Sequence, residues 1–219
     1  MDKKISHLHY ITQDVIGLTH SELVNQACKS GVDWVQLRMK NATYNEWLDE
    51  SLKSEIICRN HHAKLIINDN VLVAKAAKAD GVHLGKSDMS PTEARQILGE
   101  NAIIGGSANS FEDVLKLVNA GVDYVGFGPY RFTVTKQNLS PILGLEGYQS
   151  VLEQCEKNGI KIPIIAIGGI KTEDVKPLME KGVYGIAVSS AINLSDNPTN
   201  LIKRFKNKIK FEVDKNSLR

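Results

Sequence analysis

The sequence predicts a single-domain α/β protein, a (β/α)8 TIM barrel of eight parallel strands, each followed by a helix. Three observations predict it. A helix-ending turn that runs into a short apolar strand recurs four times: Gly31-Val32-Asp33-Trp34-Val35, Lys78-Ala79-Asp80-Gly81-Val82, Gly121-Val122-Asp123-Tyr124-Val125 and Lys181-Gly182-Val183-Tyr184-Gly185-Ile186. Glycine at such a turn can take the left-handed conformation that ends a helix. Between these units lie four isoleucine-rich runs, Leu8–Thr12, Lys64–Asn68, Ala102–Ser107 and Ile162–Ile167. They show little polar alternation, as expected of strands buried on both faces. Finally, the chain has 219 residues and no Pro/Ser-rich linker, and a barrel needs roughly 200 residues or more. Strict strand–helix alternation argues a parallel sheet, and eight unbroken units argue closure rather than a doubly wound open sheet.

The helices follow from spacing and caps. His20–Ser30 carries Leu23, Val24 and Ala27 on one face, and Tyr44–His61 carries Trp47, Leu48, Leu52, Ile56 and Ile57. Pro91–Leu98 opens with proline, whose missing N–H is no loss in a first turn. Ser110, ahead of Glu112 and Asp113, reads as an N-cap. Gly147–Asn158, Thr172–Glu180 and Pro198–Lys210 complete the expected set. The barrel is expected to occupy residues 1–211, with 212–219 a frayed tail.

Bulk composition narrows the function classes. Hydrophobic residues make up 42% of the chain, enough for a core. Lys plus Arg number 27 against 25 Asp plus Glu, which leaves no concentrated basic face for nucleic acid. Cys28, Cys58 and Cys155 fit neither a zinc motif nor a disulfide framework. They read as reduced thiols of a cytoplasmic protein. Met1–His7 lacks the apolar stretch of a signal peptide, and no run approaches the ~20 apolar residues of a membrane span.

Barrels of this kind place their chemistry at the C-terminal ends of the strands. After the second strand, Gln36, Arg38 and Lys40 share one face with Trp34 below them. The third strand ends in Asn68-Asp69-Asn70, and the fourth leads to Gly85-Lys86-Ser87-Asp88. Asp69 and Asp88 are thus two carboxylates on neighbouring strand ends, a plausible oxygen pair for Mg2+. Gly106 and Ser107 end the fifth strand. A long segment after the sixth, from Gly126 to Pro141, carries Arg131, Thr133, Thr135 and Lys136. Gly168-Gly169-Ile170 and Val188-Ser189-Ser190 follow the last two strands. Two Gly/Ser-rich turns there suit an anion bound by backbone N–H groups. None of the six histidines has metal-ligand spacing, and His83 reads as a core or mouth residue. The basic run Lys203–Lys210 reads as the exposed face of the last helix.

In order and spacing, five segments resemble the thiamine phosphate synthase family: Gln36-Leu37-Arg38-Met39-Lys40, Ile67-Asn68-Asp69, Gly81-Val82-His83-Leu84-Gly85 with Asp88, Gly126-Phe127-Gly128-Pro129 leading to Thr133-Val134-Thr135-Lys136, and Ile167-Gly168-Gly169-Ile170. The resemblance spans about Tyr10 to Phe205. It implies a transferase that joins hydroxymethylpyrimidine pyrophosphate to a thiazole phosphate or its carboxylate, with release of pyrophosphate. It further implies that Gln36, Arg38, Lys40, Asn68, Ser107 and Lys136 hold the pyrimidine pyrophosphate, with Arg38, Lys40 and Lys136 catalytic. Thr133, Thr135, Gly169, Ser189 and Ser190 would hold the thiazole phosphate, and Asp69 and Asp88 one Mg2+. The implied partners are these small molecules, not nucleic acid or membrane, in a monomer or homodimer. The family's mechanism, departure of pyrophosphate before attack by the thiazole nitrogen, asks for positioning and charge stabilisation and no protein nucleophile.

Two places depart from the family pattern. Lys86-Ser87 stands where Gln-Glu is frequent, which adds a cation near the metal pair. Arg131-Phe132 stands where Phe-Pro is frequent, and Arg131 is expected to be solvated, with an added phosphate contact as the alternative. A thiazole tautomerase on the same barrel is the nearest alternative, and it usually lacks both the metal carboxylates and the Thr-x-Thr-Lys segment. A non-catalytic binder of thiazole phosphate is the alternative from another class.

Overall fold

A computed structural model describes residues 3–132 and 141–216. Eight parallel strands close into a barrel in chain order: β1 (Leu8–Ile11), β2 (Trp34–Leu37), β3 (Lys64–Asn68), β4 (Gly81–Leu84), β5 (Ile103–Ala108), β6 (Tyr124–Phe127), β7 (Ile164–Ala166) and β8 (Gly185–Val188), which pairs back onto β1. The helices are α1 (His20–Lys29), α2 (Tyr44–Asn60), α3 (Val71–Ala76), α4 (Pro91–Leu98), α5 (Phe111–Asn119), α6 (Gly144–Lys157), α7 (Val175–Glu180), α8 (Ser190–Asn193) and α9 (Pro198–Asn216). The predicted fold class is the observed one.

Local chemistry starts the helices at the strand exits. Thr19, Thr43, Ser90 and Ser110 each cap a helix and in return donate their own backbone N–H to an acid three residues on. Several boundaries differ from expectation, among them the helix expected from Thr172, where Thr172–Asp174 form a 3-10 turn and α7 starts at Val175. Three others have a reason in the contacts. β7 is shorter than Ile162–Ile167, because Pro163 has no N–H to give the ladder and only its carbonyl is used, by the Val125 N–H at 2.9 Å. α6 starts at Gly144, since the Leu143 and Gly144 N–H groups donate to the carbonyls of Pro129 and Tyr130, each at 3.0 Å. α9 continues past Phe211 to Asn216 where fraying is expected over 212–219. Glu212 is buried, and Lys215 bridges to Glu180 at 3.1 Å and reaches Glu212 at 3.8 Å. Residues 217–219 lie outside the described residues.

Two apolar layers form. Outward-facing strand residues such as Val35, Leu37, Ile67, Val82 and Val125 pack against the helices. Inward-facing ones, among them Ile11, Trp34, Ile66, Ile103, Tyr124 and Ile165, plug the barrel. His9 stacks on Trp34 at 4.3 Å, and Trp34 meets Tyr124 edge-on at 5.5 Å. Burial pushes the His9 imidazole down to about 3, so it is neutral at physiological pH. Strand side chains alternate, so the residue two beyond each plug residue also points inward. Gln36 follows Trp34, Asn68 follows Ile66 and Ser107 lies beyond Ile103 and Gly105. The plug therefore sets a polar floor at the C-terminal mouth.

Candidate active site

Gln36, Asn68 and His83 are buried in that floor, and Ser107 is half-buried. His83 bridges two of its neighbours: Nε2 lies 3.0 Å from Ser107 Oγ and Nδ1 lies 3.0 Å from the Tyr124 hydroxyl. The Gln36 amide hydrogen-bonds the same tyrosine, whose own ionisation burial pushes above its ordinary range. His83 is thus a mouth residue that orients Ser107. Its alternation with Gly81 and Gly85 is the signal that reaches it from sequence.

Arg38 and Lys40 rise from β2 above this floor, the first half-buried and the second exposed. The Arg38 backbone N–H donates to Thr12 Oγ1 at 3.0 Å. That hydroxyl lies 2.8 Å from His20 Nδ1, and His20 Nε2 lies 3.0 Å from Asp14 Oδ1. Thr12 is fully buried with its oxygen occupied, so this Thr–His–Asp arrangement anchors the end of β2 and offers no nucleophile. Sequence reasoning missed it. Burial weakens the hold of the Arg38 guanidinium on its proton, while the charges of Asp69 and Asp14 strengthen it.

Asp69 and Asp88 come together as expected. The Asp69 N–H donates to the His83 carbonyl at 2.8 Å, and its φ of 62° lies in the left-handed region, which aspartate tolerates. The Gly85 N–H holds Asp88 Oδ2 at 2.6 Å. Burial, then the hydrogen bond and charge of Asp88, push the Asp69 carboxyl up to about 7, against the pull of Lys40 and Arg38. Two carboxyls pressed together until one keeps its proton are a donor set that a divalent cation relieves. The set fits Mg2+, which takes one or two protein carboxylates and completes its octahedron with water and phosphate. Among the described residues no group of three or more metal-ligating side chains assembles. Lys86 does not crowd the pair, since its Nζ is 2.5 Å from Asp113 Oδ2 at the start of α5.

The opposite side of the mouth is built from two turns. Gly168 and Gly169 have φ of 102° and 64°. Ser189 Oγ donates to Gln13 Oε1 at 3.1 Å and accepts from Asn193 Nδ2 at 3.3 Å, while Ser190 is half-buried at the start of α8. Among the described residues, the N–H groups of Gly169, Ile170, Ser190 and Ala191 donate to no protein acceptor. Thr133, Thr135 and Lys136 lie outside the described residues. Arg131 corrects the expectation that it is solvated. It forms a two-pronged pair with Asp174, Nη1 to Oδ2 at 2.8 Å and Nη2 to Oδ1 at 2.6 Å. Asp174 reads from sequence as an ordinary helix-start acid, and nothing in its spacing flags a partner in the β6 segment.

The sequence model of the thiamine monophosphate synthase family matches residues 8–192. The chain belongs to that family. Thiamine monophosphate synthases are transferases of thiamine biosynthesis. The thiamine-phosphate synthase of Bacteroides fragilis is 50% identical over 200 residues, covering 91% of this chain and 98% of the relative. That of Flavobacterium johnsoniae is 47% identical over 202 residues, covering 92% and 95%. Among solved structures, thiamine phosphate pyrophosphorylase from Pyrococcus furiosus superposes with a TM-score of 0.83 at 32% identity, covering 94% of this chain and 96% of the other. Both relatives and the solved structure are named for the synthase reaction, and none for a tautomerase. Among the described residues no helix is long and apolar enough to cross a membrane. Cys28, Cys58 and Cys155 are free and buried.

Proposed function

We propose that this chain couples hydroxymethylpyrimidine pyrophosphate to thiazole phosphate, or to its carboxylate, with pyrophosphate as leaving group. The observation that carries the reading is the meeting of Asp69 and Asp88 beside Arg38 and Lys40, directly above the floor of Gln36, Asn68 and Ser107. Two cations and a metal-type carboxylate pair on adjoining strand ends suit a polyanionic leaving group.

The polar floor would receive the pyrimidine. Ser107 is pre-aimed by His83, and Gln36 by Tyr124, so their orientation is set before substrate arrives. Arg38 and Lys40 would hold the pyrophosphate oxygens, with Lys136 joining them from the β6 segment. When the methylene C–O bond breaks, its electron pair leaves with pyrophosphate, and the two β2 cations face the charge that grows there. Asp69 and Asp88 would hold one Mg2+, which when bound supplies further neutralisation of that leaving group. The thiazole nitrogen then forms the new C–N bond to the pyrimidine methylene cation. Its phosphate would be gripped by Gly169, Ser189 and Ser190, with Thr133 and Thr135. The substrates are small soluble metabolites, consistent with action in the cytoplasm.

The test is pyrophosphate release from the purified protein given both substrates, first with Mg2+ and then with EDTA. Metal-dependent release matched by thiamine phosphate is expected. Thiazole phosphate binding without any release under Mg2+ would overturn the proposal.

A further inference from the structure

The coupling chemistry leaves Arg131 and Asp174 without a role, although they form one of the better-made ion pairs of the molecule. The Asp174 side chain is only 6% exposed and that of Arg131 36%. A buried carboxylate persists when it is paired and its oxygens are satisfied. Here Oδ1 takes Arg131 Nη2, and Oδ2 takes both Arg131 Nη1 and the Lys171 N–H at 2.7 Å. A third bond runs from Arg131 Nη1 to the Gly169 carbonyl at 3.0 Å.

That third bond completes a series. The Tyr130 N–H donates to the Ile167 carbonyl at 2.8 Å, and the Arg131 N–H to the Gly168 carbonyl at 3.1 Å. Three successive carbonyls, at 167, 168 and 169, are therefore all held from the β6 segment. In a trans peptide the C=O of one residue and the N–H of the next point in opposite directions. Fixing these carbonyls toward Tyr130 and Arg131 fixes the N–H groups of Gly168, Gly169 and Ile170 away from the β6 segment. Successive N–H groups turned to one side make an anion-binding concavity. The aliphatic stem of Arg131 also lies over the turn, for a Cβ on Gly169 would come within 2.5 Å of Arg131 Cγ. Meanwhile the guanidinium charge is spent on Asp174.

We propose that Arg131 and Asp174 form an ionic clip that orients the Gly168–Ile170 turn for phosphate, with Arg131 a positioning residue rather than a phosphate ligand. The clip rests on the reading that this turn receives the thiazole phosphate. Arg131→Met keeps the stem and removes the clip. Asp174→Asn keeps an acceptor for the Lys171 N–H and removes the charge pair.

The test measures steady-state coupling in both variants and in the double variant, together with amide hydrogen exchange over 168–172. KM for thiazole phosphate is expected to rise roughly tenfold in each single variant, the scale on which misplaced binding groups act. The double variant is expected to be no worse than either single one, since both break the same clip. KM for the pyrimidine pyrophosphate should stay within about twofold, and exchange over 168–172 should quicken in all three. Two outcomes would overturn the clip: an unchanged thiazole phosphate KM in Arg131→Met, or a large loss in Arg131→Met with Asp174→Asn near wild type, which would make Arg131 a direct ligand. Failure of the wild-type protein to couple would instead sink the functional reading. The exchange measurement then still decides the clip, which unchanged exchange would overturn.

Discussion

Asp69 holds its side chain where its charge is disfavoured, and the consequence is a pH dependence of definite sign. In the metal-free protein the folded carboxyl keeps its proton up to about pH 7, whereas the ordinary value is 3.8. Between those limits the folded state binds more protons than the unfolded one, so stability falls as pH rises from about 4 to about 7 and stays low above. Asp69→Asn removes the titration. In thermal melts with EDTA, the variant should melt above wild type at pH 8, with the difference closing toward pH 4. A pH-independent difference would contradict the assigned cause. The same variant should lose metal-dependent pyrophosphate release, because an amide brings no charge to the cation, so stability and activity move in opposite directions. This pair was legible in the sequence because strand ends at a barrel mouth are adjacent in space as well as in order. The Thr12–His20 contact and the Arg131–Asp174 pair were not. Each joins elements through side chains whose identities, a threonine, a histidine and a helix-start acid, have commoner uses in turns and caps.

Among the elements, β5 is the one whose sequence looks least like a strand, with two adjacent glycines at 105 and 106. The structure supplies the reason at Gly105. A Cβ there would lie 2.2 Å from Tyr124 Cζ and 2.6 Å from His83 Nδ1. The aromatic plug and the floor histidine occupy the space that a side chain on β5 would fill. Gly105→Ala is therefore expected to destabilise the protein by about 1–3 kcal/mol through overpacking, read as a Tm lower by several degrees. It should also weaken coupling by displacing the His83 that aims Ser107, and a wild-type Tm would show that the plug yields freely. At the other end of the chain, α9 runs on past Phe211 because Val213 continues the apolar stripe of Ile202, Phe205 and Ile209 against the core and Lys215 bridges to Glu180. Truncation after Phe211 should lower Tm by a few degrees, about 1 kcal/mol or more in a chain of this size, where a frayed tail would have no effect. Strand and long-helix positions were readable from periodicity and caps. α3 and α8, at 6 and 4 residues, are too short to show a period, and the early end of β7 depends on how Pro163 meets its neighbour strand.

At the scale of the whole molecule, barrel order equals chain order, so the sequence can be laid around the mouth like a dial. Residues of β2 to β5 supply the cations, the carboxylate pair and the floor. On the other side, the turns after β7 and β8 supply N–H groups that donate to no acceptor among the described residues. The two halves are built on different strands and held by different side chains, Thr12 and His83 for the first, the β6 segment and Asn193 for the second. They meet at the segment after β1, where Asn193 holds the Ile11 carbonyl and Ser189 the Gln13 side chain on either side of Thr12. The metal pair touches only the first set. Chelation should therefore act on one substrate and spare the other. By calorimetry, EDTA or Asp69→Asn is expected to weaken pyrimidine pyrophosphate binding by tenfold or more, about 1.4 kcal/mol at least. Under the same treatment the dissociation constant for thiazole phosphate should change by less than about threefold, under 1 kcal/mol. Equal loss of both ligands would mean that the carboxylate pair organises the entire mouth, and that the strand-by-strand independence of the barrel's top face does not hold here.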